Sequence, residues 1–386
     1  MKKKDTLINL KNIISFNEGL DISITLSLIP FISIYFLDHI ESRLALIIST
    51  SIVISTYFFK PFTYFFISFL TKNAKLICLY LVPLSYFIPT FLGENFFILG
   101  LIFLFINRIT VSVNSTLANL FMSNSLENDK NKNLKFWMFF ILGSLFGVLI
   151  IYILNEFFSN SSMSDWAWKV GFYILTLLSF IGIKLNPLIY NFKDVKIINS
   201  LNTFKIKSIF KDINLILPII LIFLFCVEDW LPNNVIAENR LISEVKFISI
   251  IFMLMVIIFL HFLFKLLVKS NFYMPFLFTS ALFFLCTGLL GSFDSNTSVE
   301  ISNFFLTSIS CICITFFGFE LFKDKKNADF KYFLSLSVPL FFVSLIFPLY
   351  LYFLMFDIIN YNLIFILLFI FFILNFLTNS IIIKKH

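Results

Sequence analysis

The residues that could do chemistry in this chain are charged and polar side chains within long apolar segments. Arg108 lies half-way along one such segment, and Ser112, Ser115 and Asn119 follow it at helical intervals. This spacing places all four side chains on one face of an α-helix. An arginine in the middle of a membrane costs about 2.5–3.5 kcal/mol, so it should not face lipid. We therefore expect this face to line a polar cavity, or Arg108 to tie two helices through backbone carbonyl groups.

Two acidic residues, Glu18 and Asp21, are three positions apart in an earlier apolar segment. This spacing places both carboxyl groups on one side of a helix. In a pocket of low dielectric a carboxyl group can bind and release a proton near neutral pH, which is what coupling to a proton gradient requires. If the helix began later in the sequence, both acids would instead be solvated at the membrane surface and take no part in coupling.

Membrane-spanning helices must position these residues. The 386-residue chain has a mean hydropathy of +0.96 and 59% hydrophobic residues, more than a soluble protein of this length contains. Its apolar segments approach or exceed the ~20 residues that cross a bilayer as a helix. In the second of them, Pro61 after Lys60 should interrupt the helix, because proline lacks a backbone donor. The twelve predicted spans are 12–37, 43–70, 76–93, 96–121, 135–155, 168–190, 213–230, 246–268, 273–291, 300–322, 331–355 and 358–383.

The lysines and arginines predict how these spans are oriented. With the N-terminus in the cytoplasm, and with cations near most span ends counted with the adjoining side, 22 of the 29 cations fall on the inner side, four on the outer side and three within spans (Lys60, Arg108 and Lys184). Such a bias is what the positive-inside rule describes. We predict a multi-pass protein of the bacterial inner (plasma) membrane with both termini in the cytoplasm.

The longest inner gap divides the chain into two halves. We predict an N-terminal six-helix bundle over 1–190, a cytoplasmic linker over 191–212 and a C-terminal six-helix bundle over 213–386. Two such halves with a site between them are the plan of a common transporter architecture. The gaps contain no nucleotide-binding loop, metal-ligand cluster or nucleophile elbow, so we expect neither an enzyme nor a metal site. All five cysteines lie in apolar segments, which argues against disulfides.

Short motifs in these spans resemble the metabolite–proton symporter branch of the major facilitator superfamily, which includes proline/betaine, citrate and oxoglutarate carriers. The E-W-Y-D-F of that family's first span is similar to Glu18-Gly19-Leu20-Asp21-Ile22, and its R-P-L-G to Lys60-Pro61-Phe62-Thr63. Its W-R-x-P-F before the sixth span is similar to Trp168-Lys169-Val170-Gly171-Phe172, and Arg108 stands where its fourth span carries arginine. The family's glycine-rich gating loop is not kept over 68–75.

The resemblance implies an all-α polytopic membrane protein with twelve transmembrane helices in two six-helix bundles that move around a central site. Arg108 would bind the carboxylate of a small organic solute, and Asp21 with Glu18 would take the coupling proton. Hydrogen-bond partners along the pathway would be Ser112, Ser115 and Asn119. The expected partners are the solute, a proton and the lipid bilayer, for a monomer without cofactor, metal or nucleic acid. The altered gating loop leaves a second hypothesis open, a membrane protein that binds or scaffolds without transporting.

Overall fold

The computed structural model describes residues 2–70, 72–92, 96–123, 130–184, 250–251, 254–255, 258 and 328–356. Within these residues the chain forms long helices. The helices are α1 Lys2–Leu37, α2 Ser42–Phe69, α3 Lys72–Phe87, α4 Phe97–Ser123, α5 Lys130–Phe157, α6 Trp168–Lys184 and α7 Ala328–Met355. A 3-10 turn, Ile88–Phe91, extends α3, and a π-helical turn, Met163–Ala167, leads into α6.

The helices correspond to seven of the predicted spans. Helices α1 to α6 coincide with all or most of the first six spans, and α7 covers the eleventh; residues 185–190 of the sixth span lie outside the described residues. Among the described residues, five stretches are long and apolar enough to cross a membrane: Asn12–Leu37, Ser42–Ile67, Phe97–Leu117, Met138–Phe157 and Asn160–Ile183. The predicted spans 213–230, 273–291, 300–322 and 358–383, most of 246–268, and the linker 191–212 lie outside the described residues.

Helix α1 begins at Lys2, ten residues before the predicted span. Hydropathy detects only the apolar part of a helix, and the lysine-bearing start contains no residue that would stop helix formation. Glu18 and Asp21 therefore lie in the middle of α1 and not at its beginning.

The predicted interruption at Lys60-Pro61 is wrong. Helix α2 is continuous from Ser42 to Phe69 with Pro61 inside it. A membrane helix tolerates one missing backbone hydrogen bond, because breaking the helix in hydrocarbon would leave several polar groups without partners. Lys60 consequently keeps its helical position and its side chain is directed into the bundle, where it is 5% exposed.

Helix α1 is the central helix of the described bundle. In its membrane span 61% of the residues are buried, against 33–39% in the other four spans. Its apolar residues Leu20, Ile24 and Leu28 join a core with Trp168 and Phe172 of α6. Because protein surrounds α1, its polar side chains must find partners on neighbouring helices.

Glycines fix α1 against α5. A Cβ atom at Gly143 would collide with the backbone oxygen of Phe16, and one at Gly19 with the backbone oxygen of Phe140. The hydroxyl of Ser144 donates a hydrogen bond to the Gly19 carbonyl at 3.3 Å. Small residues allow backbones to approach this closely in membranes. The contact holds α1 at the turn that carries its two acids.

Helix α7 packs antiparallel to α2. The Arg43 guanidinium at the start of α2 donates to the carbonyl of Met355, in the last turn of α7, at 2.6 Å. Half-way along, the rings of Phe58 and Phe341 stack with centroids 5.1 Å apart. Aromatic packing continues towards the C-terminal end of α2, so these two helices are in contact along most of their length.

Candidate functional site

A buried ion pair joins α1 to α4. The Arg108 guanidinium donates from Nη1 to Asp21 Oδ2 at 3.1 Å and from Nη2 to Asp21 Oδ1 at 3.0 Å. Arg108 is 2% exposed and Asp21 is 1% exposed. A bidentate pair of this kind is among the stronger hydrogen-bonded contacts in proteins, and the two buried charges compensate each other.

Two hydroxyl groups complete the surroundings of the Asp21 carboxylate. Tyr86 of α3 donates to Oδ1 at 2.6 Å, and Thr25, one turn further along α1, donates to the same oxygen at 3.1 Å. The ring of Tyr86 also faces the guanidinium of Arg108, 5.9 Å from ring centroid to Cζ. Three helices therefore meet at this carboxylate.

Arg108 is held on its other edge by Asn107. The Nε donates to Asn107 Oδ1 at 2.8 Å, and Nη2 donates to the same oxygen. The Asn107 amide in turn donates to the hydroxyl of Ser85 on α3 at 2.8 Å. The guanidinium binds side chains only, so the alternative in which Arg108 ties helices through backbone carbonyls does not hold for the described residues.

A second ion pair lies one turn away on α1. Lys60 of α2 donates from Nζ to Glu18 Oε1 at 3.0 Å, and Ser115 of α4 donates to the same oxygen at 2.5 Å. The side chains of Lys60 and Glu18 are 6% and 10% exposed. Both acids of α1 thus have a cation from a different helix as their partner.

The Asp21–Arg108 pair and the Glu18–Lys60 pair border a small cavity. Its volume is about 20 Å³, and its polar lining comes from Glu18, Asp21, Thr56, Tyr57 and Arg108. This volume holds about one water molecule. The described helices consequently close tightly around the two ion pairs.

The structure brings most of the predicted site residues together. Arg108, Ser112 and Ser115 share the face of α4 that is directed into the bundle, and each is at most 2% exposed. Ser115 contacts Glu18, whereas the hydroxyl of Ser112 has no hydrogen-bond partner among the described residues. Asn119 lies on α4, and its side chain is outside the described part.

The sequence analysis missed Tyr86, Thr25 and Asn107 as partners of the pair. Each is a polar residue in an otherwise apolar segment, and that is the signal that could have indicated them. Their partners cannot be chosen without the packing of α3 and α4 against α1. Among the described residues no group of three acidic, histidine or cysteine side chains could hold a metal ion.

Comparison with known proteins gives matches at the level of structure. No family model and no curated protein matches the chain. The xylose transporter XylE from E. coli, in a partially occluded inward-open conformation, is similar with a TM-score of 0.62 and 12% identity, covering 98% of both chains. A bacterial homologue of the iron transporter ferroportin, outward-facing, is similar with a TM-score of 0.62 and 11% identity, over 97% of this chain and 98% of that one.

A third structure is XylE described as a major facilitator superfamily proton:xylose symporter bound to 6-bromo-6-deoxy-D-glucose. It has a TM-score of 0.62 and 15% identity, over 98% of this chain and 95% of that one. The likeness at this coverage shows the fold, the all-helical major facilitator fold of twelve transmembrane helices. The chain is a multi-pass membrane protein, as predicted. These three solved structures are transporters.

Proposed function

We propose that this protein is a proton-coupled secondary transporter of a small carboxylate-bearing or zwitterionic solute. The observation that carries the proposal is the bidentate Asp21–Arg108 pair, buried at the centre of a bundle with a transporter fold. A charged pair in hydrocarbon usually faces a cavity or a partner and marks a transport pathway.

The two edges of the Arg108 guanidinium bind partners of different kinds. One edge binds Asp21, which can take a proton, and the other binds the neutral amide of Asn107. When Asp21 binds a proton it loses its charge, and the edge of Arg108 that faced it becomes available. A solute carboxylate has the geometry to occupy this edge with two parallel hydrogen bonds.

Charge balance then couples the proton to the solute. A proton alone would leave Arg108 without a counterion, and an anionic solute alone would add an uncompensated charge. Leaving one member of a buried pair without its partner costs about 3–5 kcal/mol. Either half-loaded state is therefore disfavoured by about two to four orders of magnitude. The empty site and the site that holds a proton and a singly charged carboxylate are each neutral, and these are the states that move readily. A zwitterion pairs its carboxylate with Arg108 in the same way and carries its own cation outside this pair.

Alternating access is the motion that such a site requires. The cavity at the pair holds about one water, so the solute enters when helices around Arg108 separate. In this proposal the halves 1–190 and 213–386 move around the site, Ser112, Ser115 and Asn119 line the pathway, and Glu18 assists Asp21. The XylE structure described as a proton:xylose symporter supports coupling to protons. The cation distribution supports cytoplasmic termini in a bacterial inner membrane.

The test is uptake by the purified full chain in proteoliposomes with an inward proton gradient. The probes are labelled proline, glycine betaine, succinate and citrate, with xylose as a neutral solute. We expect accumulation of at least one carboxylate probe, abolished by a protonophore. Asp21→Asn should abolish this accumulation and keep counterflow exchange, because the amide keeps the shape of the side chain and cannot titrate. The matched control is Asp38→Asn, at an exposed position next to the end of the same helix.

Two results would contradict the proposal. Transport of xylose alone would remove the carboxylate from the mechanism. Failure of every probe to move or exchange, with folded protein in the membrane, would favour the alternative of a protein that binds or scaffolds without transporting.

A further inference from the structure

We propose that Glu18 and Lys60 form a relay that takes the coupling proton from Asp21, through one water, towards the N-terminal end of α1. The inference rests on the proposed proton coupling at Asp21 and adds the route by which the proton leaves. Three observations carry it: the cavity between the two acids, the order of polar contacts along the bundle, and the tether of Glu18 to Lys60.

The cavity lies where a bridging water is needed. It is lined by both Glu18 and Asp21, together with Thr56, Tyr57 and Arg108. The two acids are three residues apart on α1, with Cβ atoms about 5–6 Å apart. Each carboxylate is bound to a cation from a different helix, so a water in the cavity that both acids line can join them. A volume of about 20 Å³ holds one water, and the lining offers more than the two to four polar partners that a buried water requires.

Beyond the partners of Asp21 and Arg108, polar contacts of the described residues continue from the Glu18 side of this cavity. Beyond the Glu18–Lys60 pair, towards the start of α1 and the end of α4, the hydroxyls of Thr63 and Thr116 are 2.7 Å apart. In the other direction the neighbouring cavity is about 10 Å³ and is lined mainly by aliphatic side chains. These are Ile29, Ile32, Ile52, Val53, Leu101 and Leu104. The proton therefore has a polar route towards the predicted cytoplasmic end and an apolar barrier on the other side.

The transfer is balanced in protons and charge. The carboxylic acid of Asp21 gives its proton to the water, and the water gives a proton to the Glu18 carboxylate. Asp21, now ionised, binds Arg108 again. Glu18 is neutral at this point, and Lys60 is left as an unpaired cation. Loss of the Glu18 proton to water at the N-terminal end of α1 restores the Lys60–Glu18 pair.

Lys60 is the positioning residue of this relay. Its ammonium binds Glu18 Oε1 at 3.0 Å, and a proton on Glu18 would leave this buried cation without its partner, so the relay returns to the ion pair. The hydrogen bond from Ser115 to the same oxygen acts in the same direction. The titratable and charged groups that face Glu18 among the described residues are Asp21 on α1, Tyr57 and Lys60 on α2, Tyr86 on α3 and Arg108 on α4.

The experiment follows the proton by infrared difference spectroscopy of the full chain in nanodiscs, so it needs no solute. After a jump from acid to alkaline pH, the carbonyl band of protonated Asp21, identified by its loss in Asp21→Asn, should decay. Glu18→Gln keeps an acceptor for Lys60 and Ser115 but cannot accept a proton, and we expect about 10²-fold slower decay, the usual contribution of a positioned proton acceptor. Glu156→Gln, at an exposed acid of α5, should decay like the unmodified chain.

Lys60→Met supplies the readout that a purely structural role would not change. Without the ammonium, Glu18 should hold a proton, and a second carboxylic acid band should appear that the double variant Glu18→Gln/Lys60→Met lacks. If Lys60→Met does not fold, the double variant, which removes both charges, must show the same slow Asp21 decay as Glu18→Gln. Decay at the unmodified rate in Glu18→Gln, or in that double variant, would overturn the relay. A relay found without uptake of any carboxylate probe would contradict the solute assignment alone.

Discussion

The stability of the folded chain should depend on Asp21 and Arg108 as a unit. Asp21→Asn removes both charge-assisted hydrogen bonds, at 3.0 and 3.1 Å, and leaves a guanidinium that is 2% exposed without a carboxylate. Removing one member of a buried pair costs about 3–5 kcal/mol. Arg108→Gln should cost a similar amount, because it leaves the Asp21 carboxylate without its cation.

The double variant Asp21→Asn/Arg108→Gln removes both charges together. Neither amide then leaves an isolated charge in the bundle, and the remaining loss is that of ordinary hydrogen bonds, about 1 kcal/mol. The double variant should therefore be about 2–4 kcal/mol more stable than either single variant. The coupling energy, which is the difference between the double loss and the sum of the two single losses, should be about 5–9 kcal/mol. Asp38→Asn, at an exposed acid, should change the free energy of unfolding by no more than about 0.5 kcal/mol.

Unfolding of the purified protein in mixed micelles measures these energies. Trp168 is fully buried in the core with α1, so its fluorescence should report the loss of the bundle. If the double variant is as unstable as the two single losses added together, the residues act independently. The reasoning from charge compensation would then be refuted.

Three further predictions follow from the same structure. Arg108→Lys keeps the charge and loses the planar fork of the guanidinium. In equilibrium binding, the affinity for the transported carboxylate probe should fall about tenfold, which is about 1.4 kcal/mol. The amount of protein in the membrane should be unchanged. Gly143→Leu forces α1 and α5 apart at the backbone of Phe16 and should lower the melting temperature, whereas Phe139→Leu at an exposed position of α5 should not. Reporter fusions at positions 200 and 386 should give cytoplasmic signals, and a signal from the opposite side at 200 would contradict the twelve-span orientation.

The fold was predictable because a membrane permits few kinds of backbone structure. Apolar length and cation bias identified the first six spans and the eleventh, and the structure confirms a helix at each. The ends were less predictable, since hydropathy measures how much of a helix lies in lipid and says nothing about where backbone hydrogen bonding starts. For this reason α1 extends back to Lys2, and α2 continues through Pro61.

The face of the candidate site was predictable, but its partners were not. The spacing of Arg108, Ser112 and Ser115 indicated a buried face of α4, and all three are buried. The pairing of Arg108 with Asp21 is a contact over 87 residues of sequence, and it depends on how α1 and α4 are rotated against each other. No local pattern contains that rotation, so the assignment of Lys60 to Glu18 also required the structure.

The separation of these partners along the chain has a consequence for synthesis. Both acids of α1 enter the membrane before either cation exists. At about 5–20 residues per second, Lys60, 42 residues later, is made about 2–8 s after Glu18. Arg108, 87 residues after Asp21, is made after about 4–17 s. During that interval the nascent α1 carries two acids, Glu18 and Asp21, whose cations belong to the later helices α2 and α4. Helices α1 to α4 should therefore leave the insertion machinery as a group and not one at a time.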